Sequence, residues 1–453
     1  MHLPERLKEA SRLLFHFDQQ ARLNLFEAFP VLERFLRDRR AFAYLRTAGD
    51  IVFTLVIVLG LFGPQDPERN VALFIAWGVW WTSVVLSWFF AGRFWCGLCP
   101  FPGLGRILRR FGLSMNLDVP DFLKKRGLYL STVFLAGIIW AESVFDLKNS
   151  PAGTASLLLV IIAGATLMEV LYKGQAWCRH LCPMGRIIGA AATLSMTEFR
   201  PDQTICRTCS SAACRKGQGS IPGCPVYLGA VNVRNNLDCL VCGHCVPLCP
   251  HGSPRINLRS PFTELVINKG RYLTCSYIIP FLMGSQIARF VEEKPWVTPL
   301  RDVFAHSNLL IFSALLAAGF LLFFGIMRLG ARLFVVTQDE IFGRFSPLVP
   351  VIVPLAFTGE LVYRLQYFLS SVGEFVPTLG RQAGIDLSSW GFNVGQNVIS
   401  GISLLTLIVG VAACHQALRL FYRGDFEGMV PPTNYAALHA LVFSVFLAYV
   451  LLF

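Results

Sequence analysis

Twelve residues near the middle of the chain restrict its fold more than any other feature. They read Cys239-Leu240-Val241-Cys242-Gly243-His244-Cys245-Val246-Pro247-Leu248-Cys249-Pro250, a C-x2-C-x2-C-x3-C-P run. Three thiolates at this spacing reach three corners of one 4Fe–4S cubane. The fourth, followed by proline, points away and serves a second cluster. A second set lies upstream as Cys206, Cys209, Cys214 and Cys224-Pro225. By this crossing rule Cys239, Cys242, Cys245 and Cys224 hold one cluster, and Cys206, Cys209, Cys214 and Cys249 hold the other. Four residues rather than two separate Cys209 from Cys214, which makes a longer loop around one corner. Paired C-x2-C units also suit structural zinc. Eight cysteines in two interleaved sets, each closed by Cys-Pro, fit zinc poorly. Disulfides are disfavoured if the segment faces the cytosol.

The rest of the chain is built for a bilayer. Of 453 residues, 54% are hydrophobic and 15% charged, with a mean hydropathy of +0.54. A soluble domain carries about 25% charged residues. Nine stretches approach the roughly 20 apolar residues of a transmembrane helix. They are 47–63, 71–91, 128–145, 154–172, 273–290, 307–329, 347–369, 394–418 and 434–453. The expected fold is therefore a polytopic α-helical membrane protein with an inserted, two-cluster ferredoxin-like α+β domain. Its divisions are a basic amphipathic arm (1–46), a four-helix membrane domain (47–190), the cysteine domain (191–272) and a C-terminal membrane domain of about five helices (273–453). The 273–290 stretch is diluted by Ser276, Gly284, Ser285 and Gln286, so a re-entrant segment stays open there.

Charge sets the expected orientation. Arg93, Arg106, Arg109, Arg110, Lys124, Lys125 and Arg126 follow the second span, whereas 64–70 and 146–153 are short and nearly neutral. Positive charge stays inside, so the N-terminus, the 92–127 loop and the cysteine domain face the cytoplasm of a bacterial inner membrane. Counting 273–290 as a span keeps the Arg-containing segments 328–346 and 419–433 inside as well. The net charge of +12 then reflects topology and anionic lipid rather than nucleic acid. No cleavable signal peptide is expected. The arm carries Leu13, Leu14, Phe15, Leu23, Phe26 and Phe29 among Arg12, Arg22, Arg34 and Arg37. It reads as a membrane-surface helix, a docking arm or an ordinary solvated helix.

Two more cysteine pairs end the second and fourth spans: Cys96-Gly97-Leu98-Cys99-Pro100 and Cys178-Arg179-His180-Leu181-Cys182-Pro183. Gly92-Arg93-Phe94-Trp95 precedes the first and Gly174-Gln175-Ala176-Trp177 the second, while Gly105-Arg106 and Gly185-Arg186 follow. Two helical hairpins ending in Cys-Pro hooks read as a duplicated unit. Their four thiols could hold a further Fe–S centre, form redox pairs or clasp the fold, since soft thiolates favour such centres.

At these residues the sequence resembles the membrane-bound polyferredoxins, a family with NapH-type, NosR-type and CcoG-type branches. The resemblance covers about 47–272. It implies carriage of electrons between the quinone pool and a partner redox protein in a respiratory system. By that similarity Cys96, Cys99, Cys178 and Cys182 match the hook cysteines, and the eight from Cys206 to Cys249 match the ferredoxin ligands. Departures are expected: no large flavin-binding domain as in the NosR type, no C-terminal soluble domain as in the CcoG type, and added spans over 273–453 that the NapH type lacks.

In those added spans ionisable groups are functional candidates. Glu360 and Arg364 are four apart on one helix face and can pair. His415 and His439 fall at similar depth on neighbouring spans, as axial ligands of a b-type haem, as quinone contacts or as ordinary hydrogen-bonding residues. Glu142 and Glu169 are quinone-side proton candidates. Cys275 and Cys414 read as packing. His180, His244 and His251 lie within cysteine motifs as tuners of cluster potential. No Ser/His/Asp set, phosphate loop or G-x-G-x-x-G turn is present, so no catalytic residue is assigned and chemistry on a small substrate falls to a partner. Three functions remain: an electron-transfer subunit, a metal-handling (copper-reducing or assembly) factor, and a redox-sensing regulator.

Overall fold

The computed structural model describes residues 8–13, 17, 20–219, 221–264, 273–297, 299, 303–304, 307–334, 349–421 and 432–452. Leu14 and Phe15 of the arm, residues 265–272 at the end of the cysteine domain, and 335–348 and 422–431 lie outside these. Nine long helices occur among the described residues: α1 (Arg39–Phe62), α2 (Val71–Ala91), α3 (Asp121–Val144), α4 (Pro151–Leu171), α5 (Leu273–Glu292), α6 (Asn308–Phe334), α7 (Val349–Ser371), α8 (Gln396–Phe421) and α9 (Pro432–Leu452).

Seven of them, all but α5 and α7, are long and apolar enough to cross a membrane. The chain is a polytopic helical membrane protein. Helices α5 and α7 are as long but carry Ser285, Gln286 and Arg289, and Glu360 and Arg364, respectively, every one of them buried. Their hydropathy is lowered by side chains that face protein rather than lipid. Segment 273–290 is one continuous helix, without the break that a re-entrant loop needs.

The chain forms two compact units. The first comprises 1–55, 87–131 and 158–264, the second 56–86, 132–157 and 265–453.

In the first unit an antiparallel sheet frames the cysteine segment. β2 (Thr197–Pro201) pairs along its length with β5 (Pro254–Leu258), from Thr197 opposite Leu258 to Pro201 opposite Pro254. These strands enter and leave the two cysteine motifs. A small hairpin, β3 (Gly217–Gln218) with β4 (Ile221–Pro222), closes the first motif. The N-terminal arm adds β1 (Leu23–Asn24) to the free edge of β5. Arg22 Nε donates to Glu198 at 2.7 Å, and Phe26 and Leu36 join Phe42, Phe199, Val233 and Val246 in one apolar cluster. Phe26, Leu32 and Leu36 of the arm thus pack on the cysteine domain, while Phe29 and Val31 stay exposed.

In the second unit α5 and α7 are the most buried helices, and their charges meet one another. Gly284 of α5 and Gly319 of α6 sit at the crossing of those helices, where a Cβ on Gly284 would stand 2.6 Å from the Gly319 backbone. Small residues allow such close approach between helices in a bilayer. The same Gly284 is one of the residues that weakens the hydropathic signal of α5.

Candidate functional site

The second cysteine motif is a loop wrapped around a space. Val241 and Gly243 take left-handed φ values of +49° and +73°, which turns the backbone sharply between the thiols. The Val241 N–H donates to Cys239 Sγ at 3.5 Å, and Cys245 opens the short helix Cys245–Leu248. One cavity is lined by Cys224, Cys239, Cys242 and Cys245, with Phe199, Val226, Leu228, Val233 and Leu240 as its apolar walls. Burial pushes the Cys239 thiol up to about 12, and Cys242 and Cys224 add to the shift. Burial likewise raises Cys245 well above its ordinary value, followed by Cys242, Cys239 and Cys224. Cys224, distant in sequence from this run, thus faces the three closely spaced thiols.

The first motif gathers the remaining four. Cys206 lies in the helix Gln203–Arg207, whose N-terminus is capped by Asp202 accepting from the Thr204 N–H at 3.0 Å. Its thiol is raised by burial and then by Cys214, Cys249 and Cys209, and it lies 3.1 Å from Ser253 Oγ. Cys209 differs: the Ser211 hydroxyl and then the Ala212 and Ser211 N–H groups hold its thiol below the usual range. All fourteen cysteines are free thiols. Among the described residues no three His, Cys, Asp or Glu groups converge on one point as single-ion ligands do; the thiols ring a space instead. Four soft donors around an apolar cavity, three of them (Cys239, Cys242 and Cys245) raised by burial, fit a cluster that would hold them as thiolates.

The hooks repeat one backbone device. Gly92 and Gly174, each four residues before the first hook cysteine, have φ of +56° and +67°, a turn region that L side chains resist. Cys96 then falls in the short helix Phe94–Leu98, and Cys178 in the π-turn Trp177–Leu181. Cys182 caps the helix Pro183–Ala191, its sulfur accepting from the Gly185 N–H at 3.2 Å. The four thiols lie near enough to shift one another: burial raises Cys178, followed by Cys182, Cys99 and Cys96, and burial raises Cys99, followed by Cys182 and Cys96. Among them sits Arg93. Burial works against its charge, and negative charge on the Cys96 and Cys182 sulfurs, with Asp238, favours it. Arg93 also donates to the Leu237 carbonyl. In the sequence Arg93 stands as a topogenic charge, and its place in the duplicated Gly-x-x-Trp-Cys pattern is the signal that sets it apart.

Both hooks lean on the walls of the cavity that Cys224, Cys239, Cys242 and Cys245 line. A Cβ on Gly97 would stand 2.9 Å from Cys242 Cα and 3.1 Å from the Val241 carbonyl oxygen, and Arg46 grips the Gly97 carbonyl at 2.9 Å. The Gln175 N–H donates to the Pro225 carbonyl at 2.9 Å, next to Cys224. Arg109 ties the hairpins together through the carbonyls of Glu169, Tyr172 and Gly174, and it pairs with the Glu169 carboxylate at 3.2 Å. Glu169 is therefore an ion-pair partner within the fold. Arg46 and Gly97 had no signal in the sequence, since their partners lie far along the chain.

Parts of the chain are similar to known proteins. The family described as a 4Fe-4S binding domain (Fer4_5) matches residues 73–120 and 154–194, which are the two hairpins with their hooks. In these hairpins the chain is similar to 4Fe-4S proteins of the polyferredoxin type. The chain is 26% identical over 251 residues to YccM of Escherichia coli K12, whose name assigns it provisionally to electron transport; the match covers 48% of this chain and 66% of that protein. It is 25% identical over 165 residues to the ferredoxin-type protein NapH of the same organism, covering 34% and 56%. With protein NirI of Paracoccus denitrificans it shares 26% over 185 residues, covering 36% and 26%. The chain thus spans two thirds or less of each of these relatives. No solved structure matches.

The second unit holds a chain of buried charges. Arg364 Nε bonds Glu360 at 2.9 Å, the pair expected from their spacing. Arg289 joins Glu360 at 2.6 Å, Glu142 joins Arg364 at 3.2 Å, and Lys148 joins Glu142 at 3.6 Å. Arg364 also stacks over Trp81 at 4.6 Å, and Arg289 and Lys148 each lie 4.1 Å from the Tyr363 ring centre. Lys148 and Tyr363 line a polar cavity with Gln366, Tyr367 and Lys294. His415 and His439 do meet, as their depth predicts. Their rings stack with centroids 4.7 Å apart, and their Nδ1 atoms are 2.5 Å apart. Cys275 and Cys414 are fully buried, as packing residues are.

Proposed function

We propose that this protein relays single electrons between the quinone pool and a partner redox protein through two 4Fe–4S clusters. Cys239, Cys242, Cys245 and Cys224 would hold one, and Cys206, Cys209, Cys214 and Cys249 the other. The observation that carries the reading is the pairing of thiols across the two motifs, with the first hook seated on one of them. Such clusters take up one electron at a time with little rearrangement, and quinol supplies two with protons. The protein's own residues contribute position and charge. Arg93 keeps a fixed positive charge beside the hook thiols and favours an electron-rich centre there. The apolar walls around Cys224, Cys239, Cys242 and Cys245 keep water away. The names of YccM and NapH are in keeping with electron transport by a ferredoxin-type protein. In this reading all nine long helices span the inner membrane and the cysteine domain lies in the cytoplasm.

The test is anaerobic purification in detergent, followed by menaquinol or ubiquinol addition under low-temperature EPR. Two interacting reduced 4Fe–4S signals that appear with quinol support the relay. Reduction by dithionite alone removes the quinone link. A second reading rests on the four facing hook thiols, which also suit passage of a copper ion. Hook variants that abolish copper delivery while both ferredoxin signals persist would select it.

A further inference from the structure

The two cysteine motifs differ in their surroundings. Leu240, Val246 and Leu248 of the second are buried, and Gly97 and Arg46 close over it. In the first, Arg207, Thr208, Ser210 and Ser211 are exposed around Cys206 and Cys209, and Arg215 and Lys216 are exposed beside Cys214. From 203 to 237 the chain holds Arg207, Arg215, Lys216 and Arg234 and no Asp or Glu. Among the described residues none of these four enters an ion pair, and His251, next to Cys249, is exposed on the same motif set. Asp202, which precedes this stretch, is engaged by Arg255 at 3.1 Å, and Asp238 follows it. A buried centre against the hooks and a surface centre ringed by cations make an electron path with a single open end.

We infer that the face around Cys206, Cys209 and Cys214 is the docking surface for an acidic one-electron carrier, a small soluble protein whose own redox centre is surrounded by Asp and Glu. This rests on the electron-relay reading and names its partner's chemistry. Uncompensated like charge on a solvated loop costs little by itself, but it raises the encounter rate with an oppositely charged partner by about 10-fold to 1,000-fold and gives that rate a steep salt dependence. Such a surface also disfavours basic carriers, so the charge selects as well as attracts.

The experiment uses the full-length protein in nanodiscs of neutral lipid, reduced with dithionite and mixed in a stopped-flow instrument with one of two probes. The probes are an acidic flavodoxin and basic mitochondrial cytochrome c. We expect faster transfer to flavodoxin, with a rate that falls about tenfold between low and physiological salt. The triple variant R207E/R215E/K216E should slow this transfer about tenfold, lose the salt dependence and speed transfer to cytochrome c, with EPR showing both clusters still present. Equal flavodoxin rates in wild type and variant would overturn the inference. So would a wild-type rate that drops when anionic lipid is added and recovers in the variant, since the face would then lie on the bilayer. Absence of 4Fe–4S signals from the wild-type protein is a different result: it removes the relay reading itself. The single variant R207Q serves if the triple variant does not fold, with a proportionally smaller change in salt slope.

Discussion

Gly97 and Cys242 touch backbone to backbone: a methyl group on the Gly97 α-carbon would stand 2.9 Å from the Cys242 Cα. The first hook and the second cysteine motif are therefore one packed body, although they lie far apart in sequence. Gly97→Ala should force them apart at a cost of about 1–3 kcal/mol, the usual scale of overpacking. EPR spin quantitation checks this: the signal tied to Cys239, Cys242 and Cys245 should weaken while the other persists.

The crossed thiol pairing predicts which variants behave alike. Cys224→Ser should lose the same EPR signal as Cys242→Ser, and Cys249→Ser the same signal as Cys206→Ser. Each should drop iron from about eight to about four per chain. If Cys224→Ser instead resembled Cys206→Ser, its neighbour in sequence, the two motifs would be holding their clusters without exchange.

Removal of iron should be ordered. The first motif is flanked by exposed Arg207, Thr208 and Ser210, and the second by buried Leu240, Val246 and Leu248. Incubation of the oxidised protein with a chelator should strip the Cys206 centre first, followed by EPR or by absorbance near the cluster bands. Loss of both at one rate would speak against the difference in protection.

Arg364 lies between Glu142 and Glu360 with almost no access to water. Arg364→Met leaves two buried carboxylates short of a partner and should destabilise the protein by about 3–5 kcal/mol. The double variant R364M/E142Q should regain part of that loss, because Glu360 keeps Arg289 at 2.6 Å. Thermal unfolding in detergent measures both. Such recovery would mark the cluster as a structural ion-pair chain; a fall in quinol-driven reduction without loss of stability would assign it a functional role.

Arg22 holds the N-terminal arm to the cysteine domain through Glu198 at 2.7 Å, beside the β1–β5 pairing. Deleting residues 1–28 should uncover the apolar cluster at Phe199 and Val246 and speed exchange of the β5 amides, measured by hydrogen–deuterium exchange. Unchanged exchange would show that the arm rests on the domain without protecting it.

Features that depend on covalent spacing are legible along the chain. The C-x2-C-x2-C-x3-C-P run, the duplicated hooks, the apolar runs and the Glu360–Arg364 pair are all set within a few residues, where chain geometry leaves few alternatives. Tertiary structure alone decided the contacts between distant segments: Cys224 with Cys239, Gly97 against Cys242, Arg93 among the hook thiols, Glu142 with Arg364, and His415 against His439. Such meetings arise because buried charges and thiols must find partners once water is excluded, and no local pattern records which partner that will be. Helices α5 and α7 show the limit most clearly. Gln286, Arg289, Glu360 and Arg364 lower their hydropathy, and only packing reveals that these side chains satisfy one another inside the bundle.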